Sequence, residues 1–391
     1  MTVVCGSRKV DFQAFKLLHT SCTLLDIKTA GSYFHPSIVL SLYIFTYSQL
    51  DVKRGFEPLL LFVTAQVYRR CEATDPRDKI YAVLGLLGGR RQEDALAFTP
   101  DYNISTQTLY KRFTRYFINK VDPYYVLEKC GGDRQLPGLP SWAPDWTRSN
   151  LIPQLSIFCR EEGPYACGNL STAFEFSLEG NELLLEGILF SRVKRLTSVF
   201  ESKNDGKFWK SIQPIALESL LLVLELDSSK IPDPGDLSES ITFLEENHDN
   251  DMKKPYVGGG TKANAWSRAV CAGEPGLFES FEDGDRSPNT SLFRQVLHPK
   301  NLTDMLARMS SLLLHRRVCV SVDGYIGIAP KETEENDWIC VLNGVPVPFI
   351  IREHENGYTL VGDCYVQGIM RGEAVQKIEE GVLEVQTITL I

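Results

Sequence analysis

The spacing of apolar residues changes along this chain. Up to residue 130 they recur every three or four positions, and from residue 174 they come in short runs bounded by turn residues. Leu59, Leu60, Phe62, Val63, Val67 and Tyr68 predict a helix over 59–70. Ile80, Val83, Leu84 and Leu87 predict the next over 76–87, stopped by Gly88-Gly89. A third runs from a Ser105 cap to residue 120, with Leu109, Phe113, Tyr116 and Phe117 as its apolar stripe. Residues 12–25 and 38–50 read as two further helices.

The later part predicts strands at 174–178, 182–189, 193–196, 318–322, 325–328, 338–342, 349–352, 358–361 and 383–390. Glu179-Gly180-Asn181 forms the first turn. Asp323-Gly324, Asn343-Gly344 and Asn356-Gly357 supply the positive-φ chemistry that hairpins require. A meander or small barrel follows, taking in the strands near 182–196. Helices over 212–226 and 302–315 interrupt it. The fold class is therefore α+β: a mainly helical N-terminal region (1–130), an irregular connector (131–173) and a β-rich domain (174–391). Residues 227–262 hold Pro232, Pro234, an acidic run and Gly258-Gly259-Gly260, and read as a surface loop. The triglycine lacks the spacing of a phosphate-binding loop. Residues 2–5 read as a strand with nothing before it to pair with, as if the chain began inside a domain.

The densest chemistry lies where two helices join, at Arg69-Arg70-Cys71-Glu72-Ala73-Thr74-Asp75-Pro76-Arg77-Asp78-Lys79. Thr74 or Asp75 offers a side-chain oxygen to the orphan N–H groups of the second helix, and Pro76 suits its first position. With Asp75 as cap, Asp78 falls where a shortened capping box would close. Two readings of these charges stand side by side. One is a solvated helix start with a local salt bridge. The other is an anchoring network in which Arg70, Arg77 and Asp78 clamp neighbouring segments or bind a partner. Further on, Leu139-Pro140-Ser141-Trp142-Ala143-Pro144-Asp145-Trp146 is held extended by its prolines. Its two tryptophans are expected to cover a core edge, each indole N–H directed to a partner.

Composition narrows the function. A formal charge of −9 argues against a general nucleic-acid binder. Residues 66–120 carry ten Lys/Arg against six Asp/Glu, and residues 200–290 carry nine against seventeen, so the centre of the chain is acidic. The ten cysteines show no C-x-x-C pair and no zinc spacing, and reduced thiols in a cytoplasmic protein are expected. No apolar run approaches a membrane span. The six histidines stand apart, and no nucleophile elbow, zinc-protease, P-loop or dinucleotide motif occurs. Neither a cofactor nor a metal is expected.

Three segments, in order, resemble the region downstream of the HET domain in fungal heterokaryon-incompatibility proteins. The first is the Arg70 to Leu86 stretch and the second is the Leu139 to Trp146 stretch. The third is the C-terminal series Asp323-Gly-Tyr-Ile-Gly-Ile-Ala-Pro330, Pro348-Phe-Ile-Ile-Arg352 and Tyr358 through Glu373. The residues with family counterparts are Arg70, Asp75, Pro76, Arg77, Asp78, Trp142, Asp145, Trp146, Gly362, Tyr365, Gly368 and Glu373. The aromatic strand ending in Trp-Gly and the Trp-x-Asp-x-x-Cys motif of the HET domain itself do not occur here. The resemblance implies a recognition or regulatory portion of a protein in fungal non-self recognition and cell-death signalling, truncated and without its effector domain. It implies protein partners and no catalysis by these residues. A hydrolase or nucleosidase with an acidic site around Asp78 and Asp145 is the alternative; its mark is convergence of the two carboxylates in an open pocket.

Overall fold

The computed structural model describes residues 2–5, 8–11, 58–69, 71–86, 98–120, 123–132, 134, 136–148, 155, 165–200, 208–226, 237–273 and 313–391. The helices expected over 12–25 and 38–50, and residues 302–312 of the one expected over 302–315, lie outside them. The chain divides into two compact units. One comprises Met1–Asp122, Gln135–Gly138 and Asp145–Asn150, and the other Pro123–Arg134, Leu139–Pro144 and Leu151–Ile391.

In the first unit, β1 (Thr2–Cys5) and β2 (Arg8–Asp11) pair as an antiparallel hairpin, Thr2 opposite Asp11. The strand expected over 2–5 is thus paired with the strand that follows it. Among the described residues the unit then holds three helices, α1 (Pro58–Tyr68), α2 (Asp78–Leu86) and α3 (Thr106–Lys120). Leu61, Phe62, Thr64, Ala65, Gln66 and Arg69 are all buried, so α1 is enclosed on more than one face. Helix α3 is amphipathic. It buries Leu109, Tyr110, Phe113, Thr114, Phe117 and Ile118 and exposes Arg112, Asn119 and Lys120. Its predicted cap holds: the Thr108 N–H donates to Ser105 Oγ at 3.1 Å. Tyr116, expected on the stripe, sits half-buried at its margin, and Tyr110 takes the central place.

The second unit opens with α4 (Pro123–Leu127) and is built on nine strands. These are β3 (Phe174–Phe176), β4 (Leu183–Leu196), β5 (Arg316–Ser321), β6 (Ile326–Pro330), β7 (Trp338–Leu342), β8 (Phe349–His354), β9 (Gly357–Asp363), β10 (Tyr365–Val366) and β11 (Gln386–Leu390). Strand β4 organises them. Its first half pairs with β3 and β11, its middle with β7, and its last residues with β5. Because β7 continues through β8 and β9 to β11, the strands β4, β7, β8, β9 and β11 close a ring. Strands β5, β6 and β10 extend the sheet from the far end of β4. The barrel expectation is met, and the strands near 182–196 belong to it.

Helices α5 (Phe208–Leu224), α6 (Leu237–Met252), α7 (Lys262–Val270) and α8 (Glu373–Glu379) also belong to the unit. The reading of 227–262 as loop is corrected over Leu237–Met252 by α6, while residues 227–236 lie outside the described residues. Ser240, Leu244 and Met252 are fully buried at helical spacing, and the acidic residues that suggested a loop occupy the other face. Trp266 of α7 donates its indole N–H to Ser219 Oγ of α5 at 2.8 Å. Gly258, the first of the three glycines, is a packing device: a Cβ there would stand 2.9 Å from the Cα of Gly368. Tyr256 beside it donates to the Gln367 carbonyl at 2.8 Å and accepts the Ile326 N–H at 2.9 Å.

Strands β6 and β10 meet equally closely. A Cβ on Gly327 would collide with the Tyr365 carbonyl oxygen, a backbone atom with no freedom to move aside. Gly327→Ala is therefore expected to cost about 1–3 kcal/mol, the usual range for forced overpacking. Urea denaturation checks this, and an unchanged midpoint contradicts it.

Candidate functional site

The family-motif residues do not gather at one point. Asp75, Pro76, Arg77 and Asp78 open α2, and Arg70 lies outside the described residues. Asp75 caps the helix: its Oδ1 accepts the Arg77 N–H at 2.9 Å. The same carboxylate takes the Arg77 guanidinium on both oxygens, Nη2 to Oδ2 at 2.7 Å. Arg77 then reaches across to the 102–104 segment. Its Nη1 donates to the carbonyls of Tyr102 and Ile104, the latter at 2.9 Å, and its guanidinium lies over the Tyr102 ring.

Asp78 does not close a capping box. Its Oδ1 accepts the Tyr102 hydroxyl at 2.6 Å, so the carboxylate is turned toward the same segment that Arg77 holds. Tyr81, one turn on, donates to the Asp101 carbonyl at 3.0 Å and accepts the Asp101 N–H. Lys79 points the opposite way, donating to the Arg69 carbonyl at 3.1 Å and to the Cys71 carbonyl, where α1 ends. Arg77 and Asp78, with Lys79 and Tyr81, tie the end of α1, the start of α2 and residues 101–104 together, and the Asp75–Arg77 pair is at the same time the local salt bridge of the other reading.

Tyr110 links this joint to the tryptophan segment. Its hydroxyl donates to the Pro76 carbonyl at 2.7 Å, and its ring meets Trp146 edge-on at 5.1 Å. Burial, with the Asp145 charge, pushes the Tyr110 hydroxyl well above the usual phenol range. Trp146 is fully buried among Phe62, Tyr110 and Phe113. Among the described residues its indole N–H finds no acceptor, contrary to expectation, because its surroundings are aromatic. Asp145 turns its carboxylate back on the chain, accepting the Leu136 N–H at 3.0 Å and the Thr147 N–H and hydroxyl at 2.9 and 2.6 Å. The carboxylates of Asp78 and Asp145 share no partner in these bonds.

In the second unit Trp142 behaves as expected, its indole N–H donating to the Asn181 carbonyl at 3.0 Å and its ring meeting Phe176. Arg134, which sequence reasoning missed, donates to the carbonyls of Leu139, Pro140 and Ala143 and so fixes the path of that segment. Gly362 (φ +151°) faces Ile350 at a bulge between β8 and β9. Tyr365 donates to Gln367 Oε1 at 2.6 Å, Gly368 meets Gly258, and Glu373 accepts the Arg371 N–H at the start of α8. No local signal marks Tyr102 or Tyr110 as partners of the motif; they lie 24 and 34 residues from their acceptors.

The Arg77 side-chain and backbone hydrogen bonds hold the Asp75 carboxyl below its ordinary value of 3.8. A carboxyl depressed in the folded state contributes stability that is present above its unfolded value and lost as pH falls through the folded one. Acid titration of the wild-type chain is thus expected to lose stability below about pH 4. Asp75→Asn is expected to flatten that limb, and identical acid limbs would contradict it.

Among the described residues, no three His, Cys, Asp or Glu side chains are arranged to hold a metal, and no helix is long and apolar enough to cross a membrane. Strands β5–β10 and α8 fall within residues 290–381, which match the Het-6 beta-barrel domain. The match takes in β7, β8 and β9 of the ring and the third of the three motifs, and leaves β4 and β11 outside it. The chain is also similar to "Heterokaryon incompatibility protein 6, OR allele" of Neurospora crassa, at 22% identity over 385 residues, covering 84% of this chain and 53% of that protein. It spans about half the length of the curated relative it matches. No solved structure matches it.

Proposed function

We propose that this chain is a recognition or regulatory module in fungal heterokaryon incompatibility, acting in the cytoplasm through protein partners and turning over no substrate. The similarity to an incompatibility protein and the matched barrel support the biological setting. The observation that carries the non-catalytic reading is the engagement of the acidic candidates. Asp75 is bound by Arg77, Asp78 accepts from Tyr102, and Asp145 accepts from Leu136 and Thr147. A general acid or base needs a carboxyl within reach of a substrate proton, and each of these is instead turned onto its own fold.

Two measurements test the proposal. Purified chain incubated with NAD and nucleoside triphosphates is expected to form no product by chromatography. Turnover that disappears in Asp78→Asn or Asp145→Asn overturns the reading in favour of a hydrolase or nucleosidase. In hyphae, expression of the chain is expected to change growth arrest at the fusion line between strains of differing genotype. Unchanged arrest across all pairings removes the biological setting.

A further inference from the structure

Between the end of α1 and the first turns of α2 lies an open, mostly apolar depression of about 260 Å³. Tyr68, Ala73 and Val83 line it, Cys71 and Ala82 are exposed beside them, and Glu72 and Asp78 supply its acidic side. The volume falls below the roughly 300–1,000 Å³ of sites that enclose a whole small-molecule ligand, and suits one long side chain.

The charges around it do not cancel. Arg77 is committed to Asp75 and to the carbonyls of Tyr102 and Ile104. Lys79 contributes to the lining, but its ammonium is held by the carbonyls of Arg69 and Cys71 at the end of α1. Among the described residues Glu72 makes no ion pair, and Asp78 accepts a neutral hydroxyl. Among the described lining residues two carboxylates therefore stand beside an apolar floor against one lysine ammonium, an excess of one negative charge. A side chain with an aliphatic stem and a cationic head matches both features, the stem on the floor and the head at the carboxylates.

We propose that this depression receives a lysine or arginine side chain of a protein partner. The proposal rests on the recognition reading above and names the chemistry of what is recognised.

Exposed Cys71 supplies the test. Its modification by cationic trimethylammonium-ethyl and anionic sulfonatoethyl methanethiosulfonates is followed by peptide mass spectrometry, which resolves it from the other cysteines. The cationic-to-anionic rate ratio at Cys71 is expected to exceed that of β-mercaptoethanol several-fold, and to fall in Glu72→Gln. The peptide acetyl-Gly-Arg-Gly-amide is expected to slow modification by neutral methyl methanethiosulfonate. Acetyl-Gly-Glu-Gly-amide is expected to leave it unchanged. Ala82→Phe, which fills the depression from an exposed position, is expected to abolish the protection at an unchanged melting temperature. A rate ratio at or below that of β-mercaptoethanol, absence of protection, or protection that persists in Ala82→Phe overturns the proposal. Protection by spermidine alone overturns the assignment to a protein partner. Failure here with no NAD turnover removes only the groove assignment, whereas turnover removes the recognition reading whatever Cys71 does.

Discussion

Asp363→Ala is expected to lower the stability of the barrel unit by about 3–5 kcal/mol, the cost of leaving a buried charge without its partner. Arg316 is fully buried at the start of β5, and its Nη2 meets Asp363 Oδ1 at 2.6 Å while its Nη1 donates to the Asp363 carbonyl at 2.7 Å. The other carboxylate oxygen accepts the Leu155 N–H at 3.0 Å. One side chain thus joins β5, the end of β9 and the chain at residue 155, and its removal leaves the guanidinium without the carboxylate that balances its charge, in a medium that solvates it poorly. The double variant Arg316→Met/Asp363→Leu separates charge from packing. It is expected to recover most of the loss, because two apolar groups of similar bulk need no compensation. Urea denaturation of the wild type and these two variants checks both statements. A double variant as unstable as Asp363→Ala would show that the geometry of the pair, and not the isolated charge, sets the cost.

Trp146→Ala is expected to be comparably damaging to the first unit, by about 3–5 kcal/mol, through loss of transferred area and the cavity left behind. The ring is fully buried between α1 and α3, in contact with Phe62, Tyr110 and Phe113. Trp146→Phe discriminates the cause. Since the indole N–H has no acceptor among the described residues, phenylalanine forfeits area but no hydrogen bond, and its cost is expected to be well under half that of alanine. Near-equal losses in the two variants would mean that an acceptor exists for the N–H in solution. Tyr110→Phe gives a companion measurement at the neighbouring ring, where the hydroxyl does have an acceptor in the Pro76 carbonyl.

Much of the barrel was legible because its signals are local. The three Asx-Gly turns place Gly324 at φ +86°, Gly344 at +73° and Gly357 at +144°, conformations that side chains with a Cβ rarely adopt. The strands they join were found within a few residues of their ends. The sequence of strand β4 reads as two strands because it is irregular in the middle. Register shifts between Leu189 and Ser191 and between Val193 and Arg195 interrupt its alternation. Helix α6 was hidden by its own solvent face, whose acidic residues resemble a loop to any reading that weighs composition over period.

At the motif the same distinction holds. The Asp75 cap and the Pro76 position follow from adjacent residues and were readable. The target of Asp78 was not, because Tyr102 comes to it from a separate segment 24 residues on. Arg316 and Asp363, 47 residues apart, illustrate the limit. Each in isolation is an ordinary charged residue at a strand end, and only closure of the sheet makes them partners. Where each acidic side chain turns is likewise a long-range fact, and the choice between an enzyme and a recognition module turns on that direction.

The ring also constrains how the chain is made. Strand β4 pairs with β11, so Gly187 must wait for Gln386, about two hundred residues later, before its edge is covered. A ribosome delivers the first stave long before the last, and during that interval the nascent barrel presents an open, apolar edge to everything around it. Synthesis of this protein is accordingly expected to lean on chaperones, and to tolerate slow codons poorly anywhere between those two strands.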